Sequence, residues 1–228
     1  MATSGTTAFD LDIDDIIEEA YERCGVRTNS GKDLTSARRS LNIMLSEWGN
    51  RGVHLWKVEL KEQLLSAGTQ TYTAPTNAND VLEAYISTTT GTTSSTNDVS
   101  LTKISRSEYA ALPNKGSQGQ PSQYYVDRQT IPTITLYQTP DATTYTYLKY
   151  YYLKRIEDAG AYTNQADVVF RFIPCMVSGL AYYLSMKKNP QLVQQNKLLY
   201  EDELQRALTE DGQRTSVYIT PQSYFPQG

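Results

Sequence analysis

The sequence predicts an α+β protein: helix pairs from the two ends of the chain form an antiparallel helical bundle, with a β-rich inserted domain between them and an extended C-terminal arm after them. Three observations predict it. Apolar residues step by three and four near both ends of the chain, they alternate with period two between about Val53 and Lys154, and beyond Asp211 no period survives although large side chains do. The divisions that follow are 1–52 with 167–210 for the helical bundle, 53–166 for the insertion and 211–228 for the arm.

The first helix carries its stripe on Ile13, Ile16, Ile17, Ala20 and Cys24, with Asp10 or Asp12 as cap, Asp14 and Asp15 in the first turn, and Gly25 at the stop. Acidic residues there suit the positive end of a helix, and no metal is assigned to them. After the turn Thr28-Asn29-Ser30-Gly31, Asp33 is expected to cap a second helix with a seam on Leu34, Ala37, Leu41, Met44 and Trp48. Arg38, Arg39 and Glu47 fall off that seam, and Gly49 to Gly52 ends the helix.

The middle reads as strands. Leu82, Ala84 and Ile86 alternate with Val81, Glu83 and Tyr85; Val99 and Leu101 alternate with Ser100 and Thr102; further strands are expected at 124–126, 134–137 and 145–153. Turn-rich sequence separates them at Thr88 to Asp98, Gln129 to Pro132 and Pro140-Asp141. Ser105 with Glu108 forms a capping box for one short helix before Pro113, and Pro113 to Ser122 is an expected loop.

Near the C-terminus, Val169, Ile173, Met176, Val177, Leu180, Ala181 and Leu184 make a stripe so broad that a single partner helix cannot cover it. Pro174 would clash inside a helix, so the regular helix is placed from about Pro174 onward and Val168 to Ile173 is a separate turn. Asn189-Pro190 breaks the chain and starts a second helix with Val193, Tyr200, Leu204, Ala207 and Leu208 on one face.

Charge and composition exclude several function classes. A net charge of −4 without a basic cluster argues against nucleic acid as the main partner, because phosphate binding requires concentrated positive charge. Lys187-Lys188 is explained by a helix C-terminus. No apolar run approaches the roughly 20 residues that cross a bilayer, and Met1 to Thr7 lacks the features of a signal peptide. The expectation is a soluble protein made in a cytoplasm, with no membrane partner. Cys24 and Cys175 lie on apolar helix faces and are expected as core thiols. Tyrosine is abundant, at 18 residues against four Phe and two Trp, which suits a surface wetted at one time and buried against protein at another.

No catalytic, cofactor or metal site is assigned. His54 is the single histidine and has no cysteine near it, no GxxxxGK[ST], GxGxxG or GxSxG occurs, and the pairs Glu157-Asp158 and Glu210-Asp211 sit at element ends where solvated charge is the default. The arm differs from an ordinary polar tail. Val217, Tyr218, Ile219, Tyr224 and Phe225 stand among Pro221 and Pro226, which exclude a helix, and these side chains have no core of their own to enter. Two uses are expected: a floppy tail, or an arm that is mobile in the free protein and becomes ordered against the portal or a neighbouring subunit, with Tyr218, Tyr224 and Phe225 as anchors.

An acidic first helix ending in Cys24-Gly25, followed by Ala37-Arg38-Arg39-Ser40-Leu41-Asn42 running to Trp48-Gly49-Asn50-Arg51-Gly52, resembles the head-to-tail adaptor proteins of short-tailed bacteriophages, often named tail tubular protein A. The order of parts is similar over nearly the whole chain. The resemblance implies a structural, non-enzymatic virion protein of the tail: a ring of twelve copies that binds the portal protein through its arm, meets nozzle and tail fibre proteins below, and lines the channel through which DNA passes. From their position off the seam, Arg38 and Arg39 are expected to pair with acidic residues within the chain or on the adjacent copy and so to set inter-subunit register. The long Thr88 to Asp98 loop and the neutral loop from Pro113 to Ser122 depart from the family pattern. A carbohydrate- or receptor-binding tail module is the alternative, and it would need tyrosines on one exposed platform; a cell-wall hydrolase would need paired carboxylates in a cleft.

Overall fold

A computed structural model describes residues 5, 9, 11–27, 31–52, 55–92 and 97–211. Asp10, the turn 28–30, His54, part of the Thr88 to Asp98 loop and the arm from residue 212 onward lie outside the described residues.

Helix α1 runs Ile13–Arg23 and buries Ile13, Ile16, Ile17, Ala20 and Tyr21. Asp12 occupies the cap position, but its side chain makes no capping bond. The first amides are satisfied from elsewhere in the chain, Ile13 N donating to the Asn164 carbonyl (3.0 Å) and Asp14 N to the Tyr162 carbonyl (3.1 Å). At the other end Gly25 takes φ +67°, and the bonds Gly25 N to Glu22 O and Val26 N to Tyr21 O complete a Schellman stop.

Helix α2, Gly31–Asn50, begins two residues before the expected cap, which places Asp33 in the first turn, where its carboxylate accepts from Lys188 Nζ at 2.7 Å. It buries Ala37, Ser40, Leu41, Met44, Leu45 and Trp48.

Strands follow: β1 (Val58–Leu64), β2 (Thr71–Thr73), β3 (Ala78–Ser87), β4 (Asp98–Ser100) and β5 (Thr102–Ile104). Helix α3 (Arg106–Ala111) starts at the expected capping box, with Ser105 and Glu108 each accepting from the other's amide. Then come β6 (Gln118–Gly119), β7 (Gln123–Asp127), β8 (Thr133–Tyr137), β9 (Thr139–Pro140) and β10 (Tyr147–Lys154).

One antiparallel sheet has the order β1-β10-β3-β4; a second, β2-β8-β7-β5, contains the parallel pair β5 and β7; β6 and β9 form a small third. Leu101 is the corner where the chain leaves the first sheet for the second, and its amide still donates to Ala84 O at 2.9 Å. The expected alternation of Leu82, Ala84 and Ile86 with Val81, Glu83 and Tyr85 is broken by a bulge. Tyr151 pairs with Glu83 and Tyr152 with Val81, so Val81 turns inward and Leu82 outward.

Helix α4 (Ile173–Lys188) carries Pro174 in its first turn, preceded by a separate 3-10 turn, Phe170–Phe172, as the proline requires. A second 3-10 turn, Pro190–Leu192, leads into helix α5 (Val193–Asp211). Every residue from Cys175 to Ala181 is buried, because α1, α2 and α5 all pack on α4.

Buried apolar residues form two clusters. One joins α1, α2, α4 and α5 and so draws on both ends of the sequence; the other, from Leu65 to Tyr152, fills the space between the sheets. Trp56, Ile156, Ala159, Tyr162 and Ala166, which flank the strands, pack on the helical cluster. Lys57 and Asp167 clamp the two chain crossings together: the Lys57 ammonium is buried and donates to Asp167 Oδ2, and the same oxygen accepts from Glu157 N at 3.1 Å.

Candidate interaction surface

The outer face of α2 carries both predicted register residues, and the two have different surroundings. Arg38 is half-buried: its guanidinium donates to the Gly160 carbonyl at 3.3 Å and lies over the Tyr162 ring, 5.3 Å from the centroid. One turn further on, Asn42 Oδ1 accepts from Ala159 N at 2.7 Å. These contacts strap the segment between β10 and α4 onto α2, and the same segment supplies the carbonyls that cap α1. Arg39 is exposed, and among the described residues neither arginine makes an ion pair with a carboxylate. Beside them Ile43, 53% exposed, completes a shallow depression with Thr35, Asn42 and Ser46.

At the C-terminal end of α2 the charges close on the chain itself. Arg51 forks onto Glu201 (2.7 and 3.0 Å) and also bonds Glu47 at 2.7 Å, while Glu47 accepts from Tyr183 OH at 2.7 Å. The Arg51 hydrogen bonds hold the Glu201 carboxyl below its ordinary range, and burial, followed by the Glu47 bond, pushes Tyr183 up to about 12. Lys187, whose ammonium donates to Ser40 Oγ at 2.7 Å, has its pKa lowered by burial and then by Arg39 and Lys188. The basic pair of α4 is therefore spent on α2 rather than on a ligand.

A second surface lies at the start of α1 and α4. Phe9 (71% exposed) and Phe170 (57% exposed) face each other with ring centroids 6.3 Å apart, and with Leu11, Ile173 and Pro174 they bound a hollow lined by apolar side chains. Asp15, Glu18, Glu19 and Glu22 of α1 border the adjoining groove.

Among the described residues the tyrosines do not gather on one platform. Tyr21, Tyr72, Tyr124, Tyr150, Tyr152 and Tyr200 are core residues; Tyr85 and Tyr151 meet edge-on at 87° on the first sheet; Tyr109 stacks on Tyr125 of the second. The expected wet-and-dry role of tyrosine thus gives way to core packing at these six positions, where burial raises the phenol pKa of Tyr21, Tyr124 and Tyr150 to about 12.

Glu157 and Asp158 are adjacent carboxylates bordering the depression between α2 and the end of β10, and both are exposed to solvent there. Asp211 is bound by Arg171, whose Nε donates at 2.8 Å, and Glu157 pairs with Lys154. Asp12, Asp14 and Asp15 bring carboxylate oxygens within 4.8 Å of one another at the N-terminus of α1. That arrangement is what a helix N-terminus favours without any ion. Both cysteines are buried thiols whose pKa burial raises, that of Cys175 to about 12. Among the described residues no helix is long and apolar enough to cross a membrane.

The comparison with known families is specific. The sequence model of the family described as SU10 adaptor protein matches residues 8–223. The chain belongs to the SU10 adaptor protein family. The resemblance to phage head-to-tail adaptors is thereby established, and with it a structural adaptor role among the head and tail proteins of a phage virion. The matched span of this adaptor runs from the Phe9 hollow, through both arginines and both buried clusters, into the arm. No curated protein matches the chain.

Two features had no sequence signal. Gly179 lies where α4 meets its neighbours, and a Cβ there would stand 2.5 Å from Met44 Sδ and 2.7 Å from Tyr200 Cε2. Asn196, buried on α5, donates to Ser185 Oγ at 2.5 Å; Ser185 in turn donates to Ala181 O (2.6 Å) beside Cys24 Sγ. Both depend on which helices cross where.

Proposed function

We propose that this adaptor assembles as a ring, twelve copies by analogy with the head-to-tail adaptors it resembles, between the portal protein and the nozzle and fibres of the tail, with DNA passing through the channel it lines. The observation that carries the reading is the family match over residues 8–223, which spans both ends of the helical frame and most of the arm. In this reading 1–52 and 167–210 form an antiparallel bundle domain that packs side by side with its neighbours, 53–166 is the inserted domain facing the tail, and 211–228 is the docking arm. It is made in the host cytoplasm and resides in the virion tail.

Arg39, exposed beside Ile43 and without a partner carboxylate in its own chain among the described residues, supports a role in setting register against an acidic face of the next copy. Arg38 would contribute from the strap side. Val217, Tyr218, Ile219, Tyr224 and Phe225 would anchor the arm on the portal, with Pro221 and Pro226 limiting the entropy lost. The distribution of the tyrosines does not favour the sugar-binding alternative.

Native mass measurement of the protein alone and mixed with portal tests the reading. The expected result is a monomer or weak oligomer that becomes a closed ring on the portal. A tight dimer indifferent to portal overturns it.

A further inference from the structure

The last described helix is tied to the segment that supplies part of an apolar hollow. Asp211, the last described residue of α5, is held by Arg171, and Arg171 is the sequence neighbour of Phe170. Asp211 is thus one side-chain contact away from the residue that precedes Ile173 by two and follows Phe170, both of which line the hollow with Phe9, Leu11 and Pro174. The six residues from Asp211 to Val217 can span at most about 20 Å, enough to cross one side-chain contact and reach the hollow.

We propose that in the unassembled protein this hollow is the seat of the chain's own arm, filled by Val217, Tyr218 and Ile219. Three arguments select the arm over a second copy. A tether of this length presents the arm at an effective concentration on the order of millimolar, above that of any free copy at working concentrations. The charges match, because the arm from Gly212 to Gly228 contains Arg214 and no acidic residue, while the adjoining groove is bordered by Asp15, Glu18 and Glu22 besides Glu19, which is paired with Arg23 of the same groove. Both partners are large apolar surfaces, and leaving the two exposed on one soluble chain would invite association. The seat uses the anchors that would grip the portal, so the arm must leave the hollow to attach. The inference rests on the proposed function only for that last step.

The protein supplies a clean background for the test, since Cys24 and Cys175 are buried thiols with raised pKa and hold little reactive thiolate. The full chain carrying Leu11→Cys and Tyr218→Cys is oxidised with diamide, which takes up the two hydrogens as the disulfide forms. Peptide mapping then locates the bond. A bond between positions 11 and 218 within a monomer is expected, with a yield independent of protein concentration. A bond found only between chains, or none at all, overturns the proposal.

As a second measurement that needs no cysteines, Phe9→Ser with Phe170→Ser is expected to speed tryptic cleavage after Arg214 about tenfold, by shifting the arm to its undocked state. An unchanged rate also overturns the proposal. Attachment of the wild-type chain to portal is measured separately: attachment without the intrachain bond defeats this inference alone, and the bond without attachment defeats the proposed function alone.

Discussion

Tyr200 and Tyr150 are both fully buried phenols, and their hydroxyls have opposite circumstances. Tyr200 OH accepts from Trp48 Nε1 at 2.8 Å inside the helical core, whereas Tyr150 OH, between the sheets, has no hydrogen-bond partner among the described residues. Removing the first leaves a buried indole donor unpaired, so Tyr200→Phe should cost about 1 to 3 kcal/mol in chemical denaturation; Tyr150→Phe should be neutral or stabilising in the same experiment. If the two variants cost the same, burial alone governs both sites. Gly179 is the sharper case. An added methyl meets Met44 and the Tyr200 ring well inside contact distance, so Gly179→Ala should lower stability by about 1 to 3 kcal/mol despite its gain in helix propensity. A rise in the unfolding midpoint would show that α4 can move away from its neighbours.

Among elements, the strap between β10 and α4 holds the frame and the sheets together. Asp167→Ala would leave the buried Lys57 ammonium without its carboxylate, a change expected to cost about 2 to 4 kcal/mol, reduced somewhat because Asp167 is itself partly exposed. Arg38→Glu removes a ring contact and a carbonyl bond and should lower the thermal midpoint, whereas Arg39→Glu, on the exposed side, should leave it nearly unchanged and impair ring closure. The Arg51–Glu201 fork has a defined pH dependence. Glu201 is held below its ordinary value of 4.5, so the unfolded chain takes up the proton first; the stabilisation is complete above about 4.5 and is lost as pH falls through the depressed folded value. The midpoint gap between wild type and Glu201→Gln should therefore be constant above about pH 4.5 and narrow as the pH is lowered below it.

Helices α1, α2 and α5 were legible because each carries a 3.6-residue stripe, and α4 because its long apolar run matches a helix buried on nearly all sides. Strand β1 was not, since Glu59 and Lys61 lie on one side of the ribbon and Glu62 on the other, erasing the contrast between its faces. The strap was invisible because its bonds to α1 run through backbone carbonyls that any residue supplies. Of the candidate site, the position of Arg38 and Arg39 off the seam followed from spacing, but Arg38's partner, a glycine carbonyl 122 residues away, left no trace in composition or pattern.

At the scale of the molecule, the helical core closes through α4 and α5, and α5 ends at Asp211. Deleting residues after Gln213 should consequently leave the thermal midpoint of the free protein close to that of the full chain, with any small loss reflecting the vacated hollow, and should abolish attachment to portal. Unfolding of the truncated chain would make the arm part of the core. Normal attachment would remove its anchoring role.

The two-ended origin of the helical core has a consequence for synthesis. A ribosome releases α1 and α2 first, yet Ile16, Leu41, Met44 and Trp48 on those helices have their partners on α4 and α5, more than a hundred residues downstream. The strands, by contrast, find all their partners between Val58 and Lys154 and can pair as soon as that stretch emerges. The nascent chain should thus carry a formed sheet region between an unfinished helix pair and the ribosome, leaving the first two helices open to chaperones until the last turn of α5 is made.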